Sequence, residues 1–395
     1  MLAARRNLLR DREPDGHGRV TFIELFFDLV FVFAVTQLSH ALLANPGPVG
    51  AAQTLLLFIA IWWVWIFTSW TTNWLDPEHT PVRAMLLALM LGGLLLSASV
   101  PQAFQGRGLA FAGAYVAIQL SRSLFMLWAL ARQDHANLRN FQRITLWLSA
   151  SAVLWLGGGL LDGWWRPALW FAALAAETAG PLLGFRTPGL GRSTTADWDV
   201  DGGHMAERCA LFIIIALGES ILATGATFAA LEWNSGTIAA FLIAFVASLA
   251  MWWIYFDTGA KRGSHAFSQS DNPGRMARLA YTYIHPLMIA GIIVAAVGDE
   301  MVLAHPEAEP SLTTTVMLLA APALYLLGNL LFKRTTAGHI PFSHMAGLGL
   351  LAVLAVATPR MPPLPLSATA TLTLVVVAAW ETLALRRGRP APRDP

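Results

Sequence analysis

The sequence predicts an all-α polytopic membrane protein of about twelve transmembrane helices, arranged as two parallel six-helix repeats. Three observations predict this fold class. The 395 residues are 56% hydrophobic and only 13% charged, with a mean hydropathy of +0.55, which is too apolar for a soluble domain of this length. The apolar runs reach the roughly 20 residues that a membrane-spanning helix needs. Polar motifs of the first half return in the same order in the second half.

Twelve apolar runs account for most of the chain, six in each half. Helices are the expected structure because they satisfy their backbone groups internally, and the runs lack the alternation of barrel strands. The single cysteine, Cys209, excludes an internal disulfide. The predicted helices cover residues 20–43, 51–75, 82–99, 109–131, 141–161, 167–185, 205–228, 236–257, 276–298, 312–332, 340–358 and 366–385.

These runs divide the chain into five parts. They are a basic N-terminal tail (1–19), a first repeat (20–185), an inter-repeat loop (186–203), a second repeat (204–385) and a C-terminal tail (386–395). The first run is long and has no cleavage site after a short apolar core. We therefore expect it to remain as a helix and not to be removed as a signal peptide.

Lysine and arginine are concentrated in the loops on one side of the predicted membrane. That side also carries both tails, whereas the opposite side receives Arg107, Arg166 and Arg360. The positive-inside rule therefore predicts that both termini are cytoplasmic. Because each repeat has an even number of helices, both repeats enter the membrane from the same side, which makes them parallel.

The internal repeat is indicated by four pairs of motifs. Any single pair is weak, because apolar helices resemble one another in composition, but four pairs in one order argue for duplication. A duplicated membrane unit is the usual architecture of a transporter, with its site between the repeats. The pairs are AIWWVW at 60–65 with AMWWIY at 250–255, PVR at 81–83 with PGR at 273–275, Gln37 with Glu219, and Glu177 with Glu381.

The first helix carries two carboxylates, Glu24 and Asp28, which share one helical face because they are four residues apart. Two carboxylates this close repel each other. We therefore expect one to be protonated or paired with a cation such as Arg19, Arg83 or Arg275. The pair is either an interfacial charge cluster that orients the helix or a site for a proton or cation.

The seventh run contains Glu219, which lies near its middle and follows Gly218. A carboxylate at that depth must be neutral or partnered, so Glu219 is the leading candidate for an ion-binding residue. Its counterpart in the first repeat, Gln37, has the same shape without the charge. Glu207 and Arg208, near the inner end of the same run, are expected to be ion-paired structural residues.

Arg122 lies deep in the fourth run, where it is expected to face the interior and find a carboxylate from Glu177, Glu219 or Asp28. It is either an anion-binding residue or half of a closed ion pair. Glu177 and its counterpart Glu381 are expected to be structural residues that reach toward the cytoplasmic interface.

The ninth run places His285 directly before Pro286, with two tyrosines, Tyr283 and Tyr281, two and four residues upstream of the histidine. The proline predicts a kink, which frees carbonyls upstream to bind a cation or a hydroxyl. His285 is either a satisfied core histidine or a functional group that titrates near neutral pH.

Trp63 and Trp252 are predicted to lie deep enough to wall a cavity. The sequence contains no metal cluster of recognised spacing, no glycine-rich phosphate loop and no Ser/His/Asp order. We therefore expect no cofactor, no enzymatic activity and no nucleic-acid partner. The expected partners are the lipid bilayer and a small solute or ion, and the sequence does not indicate an oligomeric state.

Four motifs in order, ELFFDLVFVFA at 24–34, ERCALF at 207–212, LGES at 217–220 and YIHP at 283–286, resemble the bacterial low temperature requirement protein A (LtrA) family. The resemblance implies a polytopic inner-membrane protein associated with growth in the cold, and it supplies no substrate. It points to the residues that the physical argument selects: Glu24, Asp28, Glu207, Arg208, Glu219 and His285.

The function predicted from these features is proton- or ion-coupled secondary transport of a small solute. In this hypothesis Glu219, with Asp28, Arg122 and His285, lines a polar cavity between the halves. The alternative is an ion channel or a membrane-embedded stress sensor, in which the same groups gate or signal. A membrane enzyme is disfavoured because the loops are short.

Overall fold

The computed structural model describes residues 8–10, 19–131, 135–194, 200–257, 273–357 and 361–387. Most of the predicted N-terminal tail, Arg360 and residues 388–395 of the predicted C-terminal tail lie outside this set. Within it the chain is helical, and twelve helices follow the twelve predicted runs, with ends that differ by a few residues. They are α1 Phe22–Ala44, α2 Pro48–Trp74, α3 Thr80–Ser99, α4 Gly108–Leu130, α5 His135–Leu160, α6 Trp165–Leu182, α7 Gly202–Ala230, α8 Ser235–Phe256, α9 Gly274–Ala304, α10 Leu312–Ala337, α11 Phe342–Ala357 and α12 Pro363–Arg387.

Nine helices of the described ranges are long and apolar enough to cross a membrane: α1 to α4, α7 to α10 and α12. α11 is apolar but shorter, at 16 residues. Large apolar side chains project outward from many of the twelve helices, and among these side chains are Leu91, Trp128, Val153, Phe171, Leu242 and Val353. Exposed apolar surface on this scale fits helices that face lipid.

The described chain forms two compact units, and the boundary between them falls inside α7, after Arg208. The first unit contains α1 to α6, the first residues of α7 and the start of α9 as far as Ala277. In this unit α3 packs against α1 and α4, and α5 packs against α4 and α6. Three tryptophans of α2, at positions 62, 63 and 65, are fully buried in its core.

The second unit contains the rest of α7, α8, the rest of α9 and α10 to α12. Here α9 packs against α10, and α8 packs against α12. Gly291 and Gly328 allow the first of these contacts to be close. A Cβ atom at Gly291 would lie 2.8 Å from the backbone nitrogen of Tyr325, and one at Gly328 would lie 3.0 Å from that of Met288. Small residues at helix crossings bring backbones together in membrane proteins.

Candidate functional site

Three helices of the first unit present polar side chains at four-residue spacing, which places each set on a single helical face. The sets meet in a buried group that we call the charge cluster, formed by Glu24, Asp28, His204, Arg208 and Arg10. Polar contacts from α2 complete it. The contributing residues are Glu24 and Asp28 on α1, Trp65, Ser69 and Asn73 on α2, and His204 and Arg208 on α7.

The charge cluster is centred on an ion pair between Asp28 and Arg208. Arg208 Nη2 lies 2.9 Å from Asp28 Oδ1, and both side chains are 0% exposed. Trp65 Nε1 donates to the same carboxylate oxygen at 2.8 Å, and the guanidinium stacks over the Trp65 ring. Arg208 also donates to the Glu24 backbone carbonyl and to Ser69 Oγ.

Glu24 is held from two sides. Its Oε2 accepts from Arg10 Nη2 at 2.8 Å, and its Oε1 lies 2.9 Å from His204 Nε2. Thr21, the residue that precedes α1, donates to Glu24 through both its backbone N–H and its hydroxyl. The carboxylate therefore joins the start of α1 to α7 and to the N-terminal segment.

The tautomer of His204 follows from Asn73. The Asn73 side-chain oxygen accepts from Asp201 N, and its NH₂ group donates to Asp201 O and to His204 Nδ1. Since Nδ1 accepts, the ring proton lies on Nε2 and points at Glu24 Oε1, 2.9 Å away. Arg10 Nη2 lies 3.2 Å from the same nitrogen, and in this tautomer it donates to Glu24 Oε2 and not to the ring. With His204 neutral, two guanidinium groups, of Arg10 and Arg208, balance two carboxylates.

The partners in the charge cluster differ from those that the sequence suggested. Arg83 was expected among the cations beside Glu24 and Asp28, but it pairs with the exposed Glu78. Glu207 is exposed and accepts from Val20 N at 3.2 Å, so it does not pair with its neighbour in the chain.

Arg122 belongs to a second buried chain in the first unit. Its guanidinium donates to Gln119 Oε1, Gln119 donates to Tyr115 OH, and Tyr115 donates to Glu177 Oε2. Ser151 and Trp155 of α5 also donate to Glu177, at 2.5 and 3.0 Å. Glu177 is thus linked to Arg122 as expected, but indirectly, through the Gln119 amide and the Tyr115 hydroxyl.

Trp63, Gln37 and Trp252, which the sequence also predicted as site residues, differ in their burial. Trp63 is buried in the core of the first unit, and Gln37 is partly buried on α1. Trp252 is 42% exposed. Trp252 therefore presents part of its ring on the outer face of α8, and its place at the wall of a cavity stays a prediction.

His285 lies in the second unit, directly after a π-helical stretch, Arg278–Ile284. Its Nδ1 donates to the Ala280 carbonyl at 2.9 Å, so its Nε2 accepts from Tyr255 OH at 2.9 Å. The rings of Tyr281 and Phe332 pack beside the imidazole. Tyr283 is only partly buried. Both imidazole nitrogens are therefore satisfied by the protein.

Glu219 is 5% exposed on α7 in the second unit. Another carboxylate of this unit, Glu381, has partners that hydropathy alone did not reveal. Lys333 of α10 pairs with Glu381 Oε2, and His344 and Ser343 of α11 contact Oε1 at 3.2 Å.

The fold and a family comparison together define the class of this protein. The twelve helices, the nine candidate spans and the ionisable groups inside them define a multi-pass helical membrane protein. The family model described as bacterial low temperature requirement A protein (LtrA) matches residues 19–379. The chain therefore belongs to the LtrA family.

A relative supports this membership. The uncharacterized protein RA0937 of Rhizobium meliloti (strain 1021) is 41% identical over 379 residues, which cover 96% of this chain and 92% of the relative. No solved structure matches the chain.

Proposed function

We propose that the protein is a proton- or ion-coupled secondary transporter of a small solute, located in the bacterial inner membrane with both termini cytoplasmic. The observation that carries the proposal is the charge cluster. Glu24, Asp28, His204 and Arg208 are wholly buried within helices that can cross a membrane. Ionisable groups in that position are costly and typically mark ion pathways, proton relays or substrate sites.

Asp28 is suited to bind a proton. One of its oxygens, Oδ1, is held by Trp65 and Arg208, whereas Oδ2 has no hydrogen-bond partner among the described residues. A proton on Oδ2 would neutralise the charge that holds Arg208. Protonation would therefore loosen the first turns of α7 against α1, which is a movement that a carrier can couple to solute binding.

A two-repeat architecture accompanies this proposal, and equivalent contacts within each unit support it. Glu177 on α6 is bonded by side chains of α4 and α5. Glu381 on α12 is bonded by side chains of α10 and α11. In each unit the acid of one helix thus joins the two helices that precede it, as expected if one six-helix unit was duplicated.

A second candidate, a membrane-embedded sensor, is favoured by a different observation. The N-terminal segment is paired with the end of α2, where Arg10 N donates to Trp74 O and Asp76 N donates to Leu8 O, both at 2.8 Å. This pairing delivers the Arg10 guanidinium to Glu24. A cytoplasmic segment held by an intramembrane carboxylate could report a change in the charge cluster without transport.

Electrical recording from reconstituted protein separates these functions. Proteoliposomes on a solid-supported membrane are exposed in turn to pools of amino acids, sugars and organic acids. We expect one pool to evoke a transient current that saturates with concentration. Unitary currents in planar bilayers would assign a channel instead, whereas saturable uptake without a current would still assign a carrier. The absence of both a current and solute uptake would contradict transport.

A further inference from the structure

The second unit contains a small cavity, lined mainly by apolar residues, that is separate from the clusters described above. Its volume is about 30 Å³, and it lies among α8, α9, α10 and α12. Its polar lining consists of Asp299 of α9 with Ser367 and Thr371 of α12. A volume of roughly 10–15 Å³ already holds one water molecule, so the cavity has room for one small ion.

Asp299 is the unusual member of this lining. The side chain is 7% exposed, and its Oδ2 has no hydrogen-bond partner in the part of the chain that the structure describes. A buried carboxylate without a hydrogen bond or a cation is strongly destabilising. A ligand that carries a positive charge would remove this cost.

Two hydroxyl side chains border the cavity together with the carboxylate. Ser367 and Thr371 are one helical turn apart, so both side chains lie on the face of α12 that borders the cavity. Their neighbours Thr369 and Thr373 donate to carbonyls of their own helix. Ser367 and Thr371 form no such bond with the described residues, which leaves both hydroxyl oxygens available as ligands.

The proline of α10 leaves one backbone oxygen near the cavity without its usual partner. Pro322 lies inside this helix and borders the cavity together with Leu318, four residues earlier. Because proline has no N–H group, the Leu318 carbonyl loses its usual helical donor. Freed carbonyls of broken membrane helices are typical ligands of Na⁺ in transporters.

From this lining we infer that Asp299, Ser367, Thr371 and the Leu318 carbonyl form a binding site for one dehydrated monovalent cation of the size of Na⁺. A single carboxylate balances one positive charge, whereas a divalent ion is usually held by more carboxylates. The site lies about 8 Å from the end of α9, given five residues and a rise of 1.5 Å per residue. A role of this site in binding the coupling ion rests on the proposed function. The binding of a cation at equilibrium does not.

The experiment measures thermal unfolding of the purified full chain in detergent as NaCl replaces choline chloride at constant ionic strength. We expect the unfolding midpoint of the unchanged protein to rise and saturate with Na⁺. Asp299→Asn, Ser367→Ala and Thr371→Val should each lose most of this rise. Calorimetric titration with NaCl should give heat for the unchanged protein and none for Thr371→Val.

Two neighbouring substitutions are matched controls. Glu300→Gln removes a carboxylate one residue from the site, and Thr369→Val removes a hydroxyl that is bonded to Pro365 O. Both variants should keep the Na⁺ response. A midpoint that does not respond to Na⁺, or a response that survives in Asp299→Asn or Thr371→Val, would overturn the site.

The dependence of the unfolding midpoint on pH and on Na⁺ also distinguishes a Na⁺ site from a proton site. A midpoint that depends on pH through Asp299 but ignores Na⁺ would assign a proton site and refute the cation site. If Na⁺ binds and no pool of solutes evokes a current or is taken up, the proposed transport fails while this site stands. If transport occurs and Na⁺ does not bind, the cation site fails while the proposed transport stands.

Discussion

Arg208 of α7 and Asp28 of α1 form an ion pair of 2.9 Å in which neither side chain is exposed. Breaking a buried pair by removing one partner leaves an uncompensated charge and costs roughly 3–5 kcal/mol, whereas replacing both partners by groups of similar volume can be nearly neutral. The pair therefore sets the arrangement of α1 and the start of α7, and its two members should be strongly coupled.

A double-mutant cycle tests this coupling. Asp28→Asn and Arg208→Met should each lower the free energy of unfolding by several kcal/mol, on the scale of about 3–5 kcal/mol for a broken buried pair. The double variant should recover part of that loss, as judged from chemical unfolding in detergent. The exposed pair of Arg83 and Glu78 is the control, because surface pairs contribute about 0–1 kcal/mol. Additive losses at Asp28 and Arg208 would show that the two residues act independently.

The hydrogen bond between Tyr255 and His285 gives a second prediction. Tyr255→Phe leaves the buried His285 Nε2 without a donor, which should cost about 1–3 kcal/mol. Tyr283→Phe is the matched control, since Tyr283 is only partly buried. Unfolding free energies of the two variants provide the measurement, and equal values would argue against the Tyr255 contact.

The close approach of α9 and α10 gives a third prediction. Gly291→Ala places a Cβ atom 2.9 Å from the Ala321 carbonyl, so a backbone must shift at a cost of about 1–3 kcal/mol. Gly349→Ala on α11 meets no atom within 4 Å and should be neutral or slightly stabilising. Thermal unfolding of both variants tests this difference, and a neutral Gly291→Ala would contradict the tight helix crossing.

Much of the fold can be predicted from the sequence, because hydropathy reports directly on the apolar runs. All twelve runs are helices in the described ranges. The errors fall where a charge sits near the end of a helix. The predicted ninth and tenth helices stopped at 298 and 332, just before Asp299 and Lys333, although both residues are helical and buried. A hydropathy pattern places the end of a helix at a charged residue. Only the structure shows that such a residue continues the helix, where it faces a partner or a cavity.

The partners within the site could not be predicted, because they depend on how each helix is rotated against its neighbours. The four-residue spacing of Glu24 and Asp28 is visible in the sequence, and His204 and Arg208 have the same spacing. That match was the available signal for the charge cluster. The role of Arg10 carried no such signal, because it depends on backbone pairing between residues 8–10 and the end of α2.

Glu219, the leading candidate for an ion-binding residue in the sequence, gives a fourth prediction. Glu219 is a buried carboxylate of α7, and Glu219→Gln keeps its shape while removing the charge. We expect this variant to fold and to lose solute uptake driven by a pH gradient in proteoliposomes. Circular dichroism and the unfolding midpoint verify the fold. Unchanged uptake would remove Glu219 from the mechanism.

In the proposed function, buried carboxylates of the membrane helices couple proton movement to solute movement. The most direct measurement follows internal pyranine fluorescence in proteoliposomes as pools of small solutes are added, for the unchanged protein, Asp28→Asn and the exposed control Glu78→Gln. We expect solute-dependent proton entry for the unchanged protein and for Glu78→Gln, and its loss in Asp28→Asn. Equal proton entry in all three, or none in any, would contradict proton-coupled transport through Asp28.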